Sequence, residues 1–326
     1  DVYSRYFFTR DSLSSMVNYG HAVNSDKDTR NVLNIKTSAY FDTLVRSGYN
    51  IHVYQTPFAN FCASPSVTFC RTLYHFDPLS PYVPEERTAP KLRNTIGMVL
   101  SFFRESYTSN ITASMFQATA GAWPQTYTAQ AFPLWFEQLS QHIMEVEPGT
   151  MVFAHLLMPH SPYKLTSSCE LSQNELQPYN LANRSRHQEW SDMRVQYYEG
   201  YFEQITCLYK RLDALFVKMR QSHRFDDAII VIHGDHGSRI SKSNYYEEMS
   251  REDFLDNYPT YFSIRAPTVE AGYDRRFVSL QEVFTSYFAP DAPLNGASRN
   301  TVFVQLNKDS KRDFIEVEMP LFANSQ

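Results

Sequence analysis

Two neighbouring residues, Asp235 and His236, carry the strongest chemical pattern in the sequence. They stand between Gly234 and Gly237, directly after the apolar run at 227–233. A carboxylate and an imidazole on one tight turn can both face a single divalent cation, and flanking glycines permit unusual backbone angles and close approach. The alternative is a capping aspartate beside a solvent-exposed histidine. The pattern favours a metal site.

A second loop, PHSPY, carries His160 and follows the apolar run at 150–157. An imidazole there can hydrogen-bond a phosphoryl or sulfuryl oxygen, or else be satisfied by the backbone of its loop. Arg239 lies beside the Asp-His pair and can clamp a non-bridging oxygen, although a structural salt bridge is an equal alternative. We interpret His155, inside the apolar run, as a satisfied core histidine. His233 alternates onto the same side as Asp235, but a satisfied strand-end histidine is the simpler interpretation.

The elements that must position these loops alternate between helices and strands. Periodicity predicts helices over 36–48, 91–107, 131–146, 186–222 and 278–288, and strands over 49–55, 150–157, 227–233 and 258–264. Segments 302–306 and 315–319 form a closing hairpin or two edge strands. This alternation predicts an α/β fold with a mostly parallel central sheet and helices on both faces. Ligands bind beyond the carboxyl ends of such strands, where both histidine loops lie.

Composition limits the class of protein. The chain has 326 residues, 43% of them hydrophobic and 20% charged, which is typical of a globular protein. We expect one domain over 1–326. The net charge of −5 argues against nucleic acid as a partner, because phosphate backbones demand clustered lysine and arginine. No apolar run reaches the roughly 18–20 residues that span a bilayer, and no signal peptide is evident.

The four cysteines predict two disulfides. Cys62 and Cys70 share one short loop and suit a local bridge, whereas Cys169 and Cys207 suit a longer-range one. Their spacing does not resemble a zinc site. Disulfides indicate an oxidising compartment such as a bacterial periplasm, and four free buried thiols in a cytosolic protein are the alternative.

Three segments together resemble the sulfatase-like branch of the alkaline phosphatase superfamily. They are YFDTLVRSGYNIHVYQT, VFAHLLMPHSPY and AIIVIHGDHGSRI. The nearer likeness is to bacterial membrane-anchored phosphoglycerol and phosphoethanolamine transferases and to uncharacterised sulfatase-like hydrolases. The resemblance extends from the N-terminus to about residue 290. It implies one catalytic domain, with about 291–326 as a C-terminal extension of unassigned role.

The resemblance implies a nucleophile. The family has a threonine or serine in a pattern such as T-x-x-S-[LI], which FTRDSLSSMVN matches with Thr9. By this resemblance Thr9, Asp235 and His236 ligate one divalent metal ion, zinc or manganese, with magnesium less suited to an imidazole. His160 then binds phosphoryl oxygens or protonates the leaving group as a second catalytic residue, and Arg239 binds substrate. Taken alone, Thr9 is more simply the N-cap of a helix that begins near Asp11, and the two roles are compatible.

The sequence departs from the family pattern at two places. The family has a strand before the nucleophile that ends in an acidic metal ligand. This chain begins eight residues before Thr9, so we expect that strand and acid to lie outside it; Asp1 is too close to Thr9 to replace them with confidence. No histidine follows His236, which favours one metal over two. No cysteine lies in the C-x-P-x-R pattern of formylglycine sulfatases, so an unmodified threonine is better matched to phosphoester chemistry.

Three functions remain open at this point. The first is a metal-dependent phosphotransferase or phosphodiesterase that moves a phospholipid head group to a periplasmic glycan or lipid, with a membrane segment upstream of this chain. The second is an inactive sulfatase-like domain that binds lipid or glycan and regulates a partner. The third is a hydrolytic sulfatase. The acid missing upstream would separate the first function from the second, because an enzyme needs a complete ligand set.

Overall fold

A computed structural model describes the part of the chain that holds both histidine loops. The described residues are 2–20, 33–56, 59–72, 126–161, 163–172, 190–241, 243–290, 300–306 and 314–320. The predicted helix at 91–107 lies outside them, as does Asp1.

The helices follow the predicted order with shifted ends. They are α1 (Thr9–Met16), α2 (Ala39–Arg46), α3 (Thr126–Glu145), α4 (Trp190–Gln221), α5 (Arg251–Asn257) and α6 (Leu280–Phe288). Ser38 begins α2 by accepting a hydrogen bond from the Phe41 N–H, which is the usual way a serine satisfies a free amide at a helix start. Ser250 and Ser279 form capping boxes that begin α5 and α6.

The strands are short and distributed along the whole chain. They are β1 (Val2–Tyr3), β2 (Leu33–Asn34), β3 (Asn50–Gln55), β4 (Ala59–Asn60), β5 (Val67–Thr72), β6 (Thr150–Ala154), β7 (Ile230–His233), β8 (Pro259–Thr260), β9 (Phe262–Arg265), β10 (Val278–Ser279), β11 (Thr301–Gln305) and β12 (Phe314–Glu318).

Parallel pairing dominates the sheet built on β3. Strand β3 lies between β5 and β6 and is parallel to both, with Asn50 opposite Thr150 and Tyr54 opposite Ala154. Strands β1 and β10 are also parallel, as are β2 and β4. The predicted α/β fold with parallel strands is therefore confirmed. Among the described residues β6 pairs with β3 alone, so β3, and not the more apolar β6, is the central strand.

Three strand pairs run antiparallel. Strand β1 pairs with β8 on its other side, β7 pairs with β9, and β11 pairs with β12. The single strand predicted at 258–264 is divided into β8 and β9, and the two join different sheets. The predicted closing hairpin is confirmed as β11–β12.

Both predicted disulfides are present, Cys62–Cys70 and Cys169–Cys207. The second joins the loop after β6 to the buried middle of α4. No helix among the described residues combines the length and apolar character that crossing a membrane requires.

Candidate active site

The loop that follows β7 is held by the end of α5. The Gly237 N–H donates to Asn257 O at 2.9 Å and the Arg239 N–H donates to Asp256 O at 2.9 Å. A Cβ on Gly237 would overlap the Asp256 carbonyl, so only glycine allows this approach. The close backbone approach expected from the flanking glycines is present at Gly237.

Helix α1 brings Thr9 onto the same loop. Thr9 Oγ1 lies 3.0 Å from His236 Nε2. Ser12, one turn along the helix, donates its hydroxyl to Asp235 O, and Ser4 Oγ lies 2.7 Å from Ser12 Oγ. Three hydroxyl groups, those of Ser4, Thr9 and Ser12, thus connect this N-terminal segment to the loop of Asp235 and His236. Thr9 and His236 are 227 positions apart in sequence.

Thr9 is not the N-cap of α1, which corrects one of the two roles that the sequence suggested. The helix begins at Thr9 itself, and the capping position belongs to Phe8, whose side chain makes no capping hydrogen bond. The Thr9 hydroxyl is directed to His236 instead, so the side chain has no local structural role in starting the helix.

The hydrogen bonds of His236 fix its tautomer. Nδ1 lies 2.7 Å from Gly237 O, and a carbonyl can only accept, so Nδ1 carries the proton. Nε2 of the neutral ring is then an acceptor, and the Thr9 hydroxyl donates to it. Burial lowers the pKa of His236, with Asp235 opposing and Arg239 reinforcing the shift, so the ring is neutral near pH 7.

Asp235 supplies a negative charge beside this neutral ring. Burial alone would raise the pKa of Asp235, but His236, His155 and the neighbouring Thr9 hydroxyl lower it to about 2. Its Oδ2 is 3.5 Å from His236 Nε2, and that oxygen is buried without a hydrogen-bond partner. A buried carboxylate oxygen without a partner is costly unless a cation or a donor approaches it.

These atoms fit a divalent cation. The unpartnered carboxylate oxygen, the imidazole lone pair and the threonine oxygen are hard and borderline donors of the kind that bind zinc or manganese. The side chains of His236 and Asp235 are 8% and 22% exposed, which leaves a route for a small ligand. Among the described residues no cluster of three His, Cys, Asp or Glu side chains completes a ligand set. The acidic ligand expected upstream has no counterpart there.

His160 lies close enough to Arg239, His236 and Asp235 for their charges to affect its pKa. Nδ1 donates to Ser161 O, which leaves Nε2 as an acceptor. Burial lowers its pKa to about 4, Arg239 adds to the shift, and His236 and Asp235 act on it more weakly. His160 is therefore a neutral base near pH 7 and not a proton donor.

Helix α4 fastens the loop that carries His160. The Gln204 side chain is fully buried. Its Oε1 accepts from the Lys164 and Leu165 N–H groups at 2.9 and 3.3 Å, and its Nε2 donates to His160 O at 3.2 Å. One amide side chain therefore fixes both sides of the loop.

Arg239 adopts a left-handed backbone conformation, with φ of 60°. Its guanidinium lies 5.9 Å from the ring centre of Phe8, the residue before Thr9. Its charge lowers the pKa of both His160 and His236, so Arg239 lies near both histidines.

Two groups near the site were not assigned from the sequence. His155 directly follows β6, and its Nδ1 is buried without a hydrogen-bond partner, so the interpretation as a satisfied core histidine is wrong. Burial lowers its pKa while the charge of Asp235 raises it. The pKa of Tyr201 on α4 is also affected by Asp235. Burial is the main cause that raises this pKa, and the charges of Tyr209 and Asp235 raise it further. The position of His155 at a strand end was the pattern that could have identified it.

The chain has a distant overall similarity to several solved structures. The structure of Ps i-CgsB in complex with k-i-k-neocarrahexaose has 11% identity and a TM-score of 0.49, and the match covers 89% of this chain and 62% of that one. Phosphonate monoester hydrolase of Agrobacterium radiobacter has 13% identity and a TM-score of 0.48, covering 92% and 71%. The lipoteichoic acid synthase LtaP from Listeria monocytogenes has 14% identity and a TM-score of 0.43, covering 98% and 76%.

The family comparison covers most of the chain. No curated protein matches the sequence at a significant level. The sulfatase family model, however, matches residues 1–289, which contain Thr9, the His160 loop and the Asp235–His236 pair. The match extends over nearly nine-tenths of the sequence. The chain belongs to the sulfatase family.

Proposed function

We propose that this chain is a metal-dependent phosphotransferase or phosphodiesterase with Thr9 as its nucleophile. The observation that carries the proposal is the 3.0 Å contact between Thr9 Oγ1 and His236 Nε2, next to a buried oxygen of Asp235 that has no partner. A threonine hydroxyl is a weak nucleophile unless a base or a cation activates it; His236 is the base in contact with it, and Asp235 and His236 together could hold a cation.

Thr9, Asp235 and His236 would hold the ion. Once bound, a zinc or manganese ion supplies positive charge that lowers the pKa of the Thr9 hydroxyl and offsets charge on the substrate. Magnesium suits the imidazole less well. Asp235, ionised because its pKa is about 2, provides the negative charge that attracts the ion.

In the first step Thr9 Oγ1 forms a bond to phosphorus. The hydroxyl proton points at His236 Nε2 and is lost to that nitrogen, or to solvent when the nitrogen is occupied. The opposite ester bond breaks, and its electron pair leaves with the departing alkoxide, which takes a proton from water. Arg239 is placed to bind a non-bridging oxygen while charge develops on it.

The second step releases the group from Thr9. An acceptor hydroxyl, from water or a glycan, attacks phosphorus and gives its proton to His160 Nε2, which is free to accept because Nδ1 is engaged with Ser161. The bond between Oγ1 and phosphorus breaks, and Oγ1 recovers a proton. His160 does not act as the acid for the leaving group, because a pKa of about 4 leaves it without a proton to donate near pH 7.

Sulfate-ester hydrolysis is the second candidate, because the family is named for it. The cysteines argue against the formylglycine route, since Cys62, Cys70, Cys169 and Cys207 are all paired in disulfides. No cysteine therefore remains to be converted to an aldehyde, and an unmodified threonine is better suited to phosphorus.

The substrate and the compartment are further parts of the proposal. Two disulfides favour an oxidising location, and we place the chain at the extracytoplasmic face of a bacterial inner membrane. There it would take a phospholipid head group and pass it to a glycan or lipid, with a membrane segment upstream of residue 1 and no nucleic-acid partner. A domain that only binds lipid or glycan remains the outcome to expect if turnover is absent.

The test uses the purified chain with zinc or manganese and two substrates, bis-(p-nitrophenyl) phosphate and p-nitrophenyl sulfate. We expect turnover of the phosphodiester, loss of at least about 100-fold in Thr9→Ala, and partial retention in Thr9→Ser. Mass spectrometry of the acid-quenched reaction should find a p-nitrophenyl phosphoryl group on Thr9. Asp235→Asn should lose both metal and turnover.

Three results would contradict the proposal. Turnover of the sulfate ester alone would identify a sulfatase, and undiminished turnover in Thr9→Ala would exclude the nucleophile. Absence of turnover and of metal in the wild type would leave the binding domain as the function.

A further inference from the structure

The hairpin β11–β12 lies beyond residues 1–289, the part that the sulfatase model matches, yet it packs behind both parts of the candidate site. We propose that this hairpin positions the Thr9 nucleophile and the loop of Asp235 and His236, with Phe314 as its main positioning residue. The inference rests on the proposed role of Thr9.

The first contact is with the segment that leads into Thr9. The Phe303 N–H donates to Arg5 O at 2.8 Å. The Arg5 side chain is only 7% exposed, and it donates to Thr301 Oγ1 at 3.0 Å and to Glu316 Oε1 at 2.8 Å. It also lies 4.6 Å from the ring centre of Phe303. A buried guanidinium needs such partners, and the hairpin provides them.

The second contact runs through aromatic rings to the site itself. Phe314 meets Tyr6 and Phe8 edge to face, with ring centres 6.1 and 6.5 Å apart. Phe8 directly precedes Thr9, and its carbonyl accepts the first hydrogen bonds of α1. The Phe8 ring also lies 4.0 Å from the Phe7 ring, between ring centres, and 5.9 Å from the guanidinium of Arg239. A shift of Phe8 would therefore move the nucleophile and the anion-binding arginine together.

The third contact reaches the loop of Asp235 and His236 through α5. The Tyr258 hydroxyl donates to Phe303 O at 3.1 Å, and Tyr258 O accepts from the Ser4 N–H at 2.8 Å. A buried cluster joins the hairpin to α5 and to the N-terminal segment: Tyr3, Phe7, Phe254, Tyr258, Val302, Val304 and Met319. Because the last carbonyls of α5 hold Gly237 and Arg239, the hairpin supports both sides of the site at once.

The test compares two matched truncations, Phe314→Ala and Phe225→Ala. Both rings are half-buried and meet another ring edge to face. Phe225 lies before β7, at the end of that strand opposite to the loop of Asp235 and His236. We expect Phe314→Ala to lower kcat on bis-(p-nitrophenyl) phosphate by about tenfold to 100-fold with KM within about twofold, since small displacements of reacting groups have effects of this size. Phe225→Ala should keep kcat, and Phe314→Tyr, which preserves the edge contact, should restore it.

Hydrogen exchange gives a readout that does not depend on turnover. Amides of α1 should exchange faster in Phe314→Ala and at the wild-type rate in Phe225→Ala, when each is measured at the same fraction of its own unfolding temperature. Unchanged exchange and kcat in Phe314→Ala would overturn the inference. If the wild type shows no turnover, the proposed function fails while exchange of α1 still decides the role of the hairpin.

Discussion

Individual residues of the candidate site have their charge states set by burial. Asp235 is ionised, whereas His160 and His236 are neutral, because loss of water around an imidazole disfavours its cation. A carboxylate beside two unprotonated ring nitrogens is an arrangement that offers negative charge and lone pairs without a charged histidine. It is the condition in which a cation and a hydroxyl nucleophile can share one site.

Gly237 gives a direct test of the backbone approach on which this site depends. In Gly237→Ala the new methyl group would overlap the carbonyl of Asp256, so the loop must move. We expect the free energy of unfolding to fall by about 1–3 kcal/mol, the usual cost of overpacking, and turnover to fall further. Gly272→Ala is the control, because no atom lies within 4 Å of its Cβ position. Equal stability and activity in the two variants, measured by urea unfolding and assay, would contradict this account.

Gln204 gives a test of how the His160 loop is held. Gln204→Ala removes the acceptor of two backbone N–H groups and leaves them buried, which should cost about 1–3 kcal/mol. Turnover should fall because His160 loses its support. Thr206→Ala, on the exposed side of α4, breaks only a bond to Phe202 O and should be close to neutral. Thermal unfolding and kcat should be measured for both variants. Equal values in Gln204→Ala and Thr206→Ala would contradict this role of Gln204.

Residues that do chemistry were easier to predict than residues that support them. Asp235, His236 and His160 stand out because polar groups directly follow apolar strands. Gln204 could not be identified, because nothing in a single sequence shows that a helical glutamine faces a loop forty positions earlier. His155 was misread for a related reason: an apolar context predicts burial but not whether the buried nitrogen finds a partner.

Among the elements, α4 has the widest role in the site. Its N-terminal half contacts α5, where Arg194 and Tyr198 both bind the Asp256 carboxylate. Its middle holds the His160 loop through Gln204 and the disulfide from Cys207. One long helix therefore fixes the two loops relative to each other.

Removal of each disulfide should have a graded effect. The Cys169–Cys207 bridge closes a separation of 38 residues, against 8 for Cys62–Cys70. Loop-closure entropy predicts losses of about 4 and about 2.5 kcal/mol for the corresponding double alanine variants. Only loss of the longer bridge should also reduce turnover, because it holds the His160 loop. Denaturant titrations of both variants would contradict this if the shorter bridge proved the more important.

A histidine pair between β3 and α3 should make stability depend on pH. His52 Nδ1 lies 2.9 Å from His142 Nε2, beside Phe69. Burial lowers the pKa of both below 6.5, and for His142 the neighbouring His52 and Arg71 reinforce the shift while Glu145 opposes it. As pH falls, these histidines therefore take up protons in the unfolded chain before they do so in the folded chain. Their contribution to the free energy of unfolding is complete above about pH 6.5, and it is lost as pH falls from there through the lowered pKa values of the folded chain.

In His142→Gln the free energy of unfolding should depend less on pH below about pH 6.5. The exposed His223→Gln is the control for loss of a histidine elsewhere. Urea midpoints measured between pH 5 and pH 8 should converge for wild type and His142→Gln at the acidic end. A parallel offset at every pH would contradict the linkage.

The sequence predicted elements better than their ends or their pairing. Apolar periodicity located α2, α3, α4 and α6, whereas α5 was missed because its seven residues show less than two turns of pattern. The single strand predicted at 258–264 forms two strands, β8 and β9, which belong to different sheets. Periodicity reports which faces are apolar, and it does not report which neighbour each half of a strand will find.

At the scale of the whole molecule, metal binding should increase the free energy of unfolding. An ion that binds only the folded chain adds about 2.7 kcal/mol to the free energy of unfolding at 100 times its Kd. The unfolding temperature should therefore rise with manganese or zinc and fall on chelation. Asp235→Asn, which loses the buried carboxylate charge, should show no such rise. A metal-dependent shift of equal size in that variant would place the ion elsewhere.

The order of the sheet was the part of the molecule least accessible from sequence. Strand β1 lies between β8 and β10, and its two residues show no periodicity of their own. A family resemblance predicted the site near Thr9, but not that the last strands of the chain would pack behind it. Such contacts depend on tertiary packing, which local propensity does not record.

The position of β1 also has a consequence for biogenesis. Val2 and Tyr3 pair with residues 259–260 and 278–279, so this part of the sheet joins segments more than 250 positions apart in sequence. Contacts this distant along the polypeptide close slowly, because the intervening chain must first give up its freedom. During synthesis β1 therefore stays unpaired until residues 259–260 and 278–279 have been made, so this part of the sheet forms late in the folding of the domain.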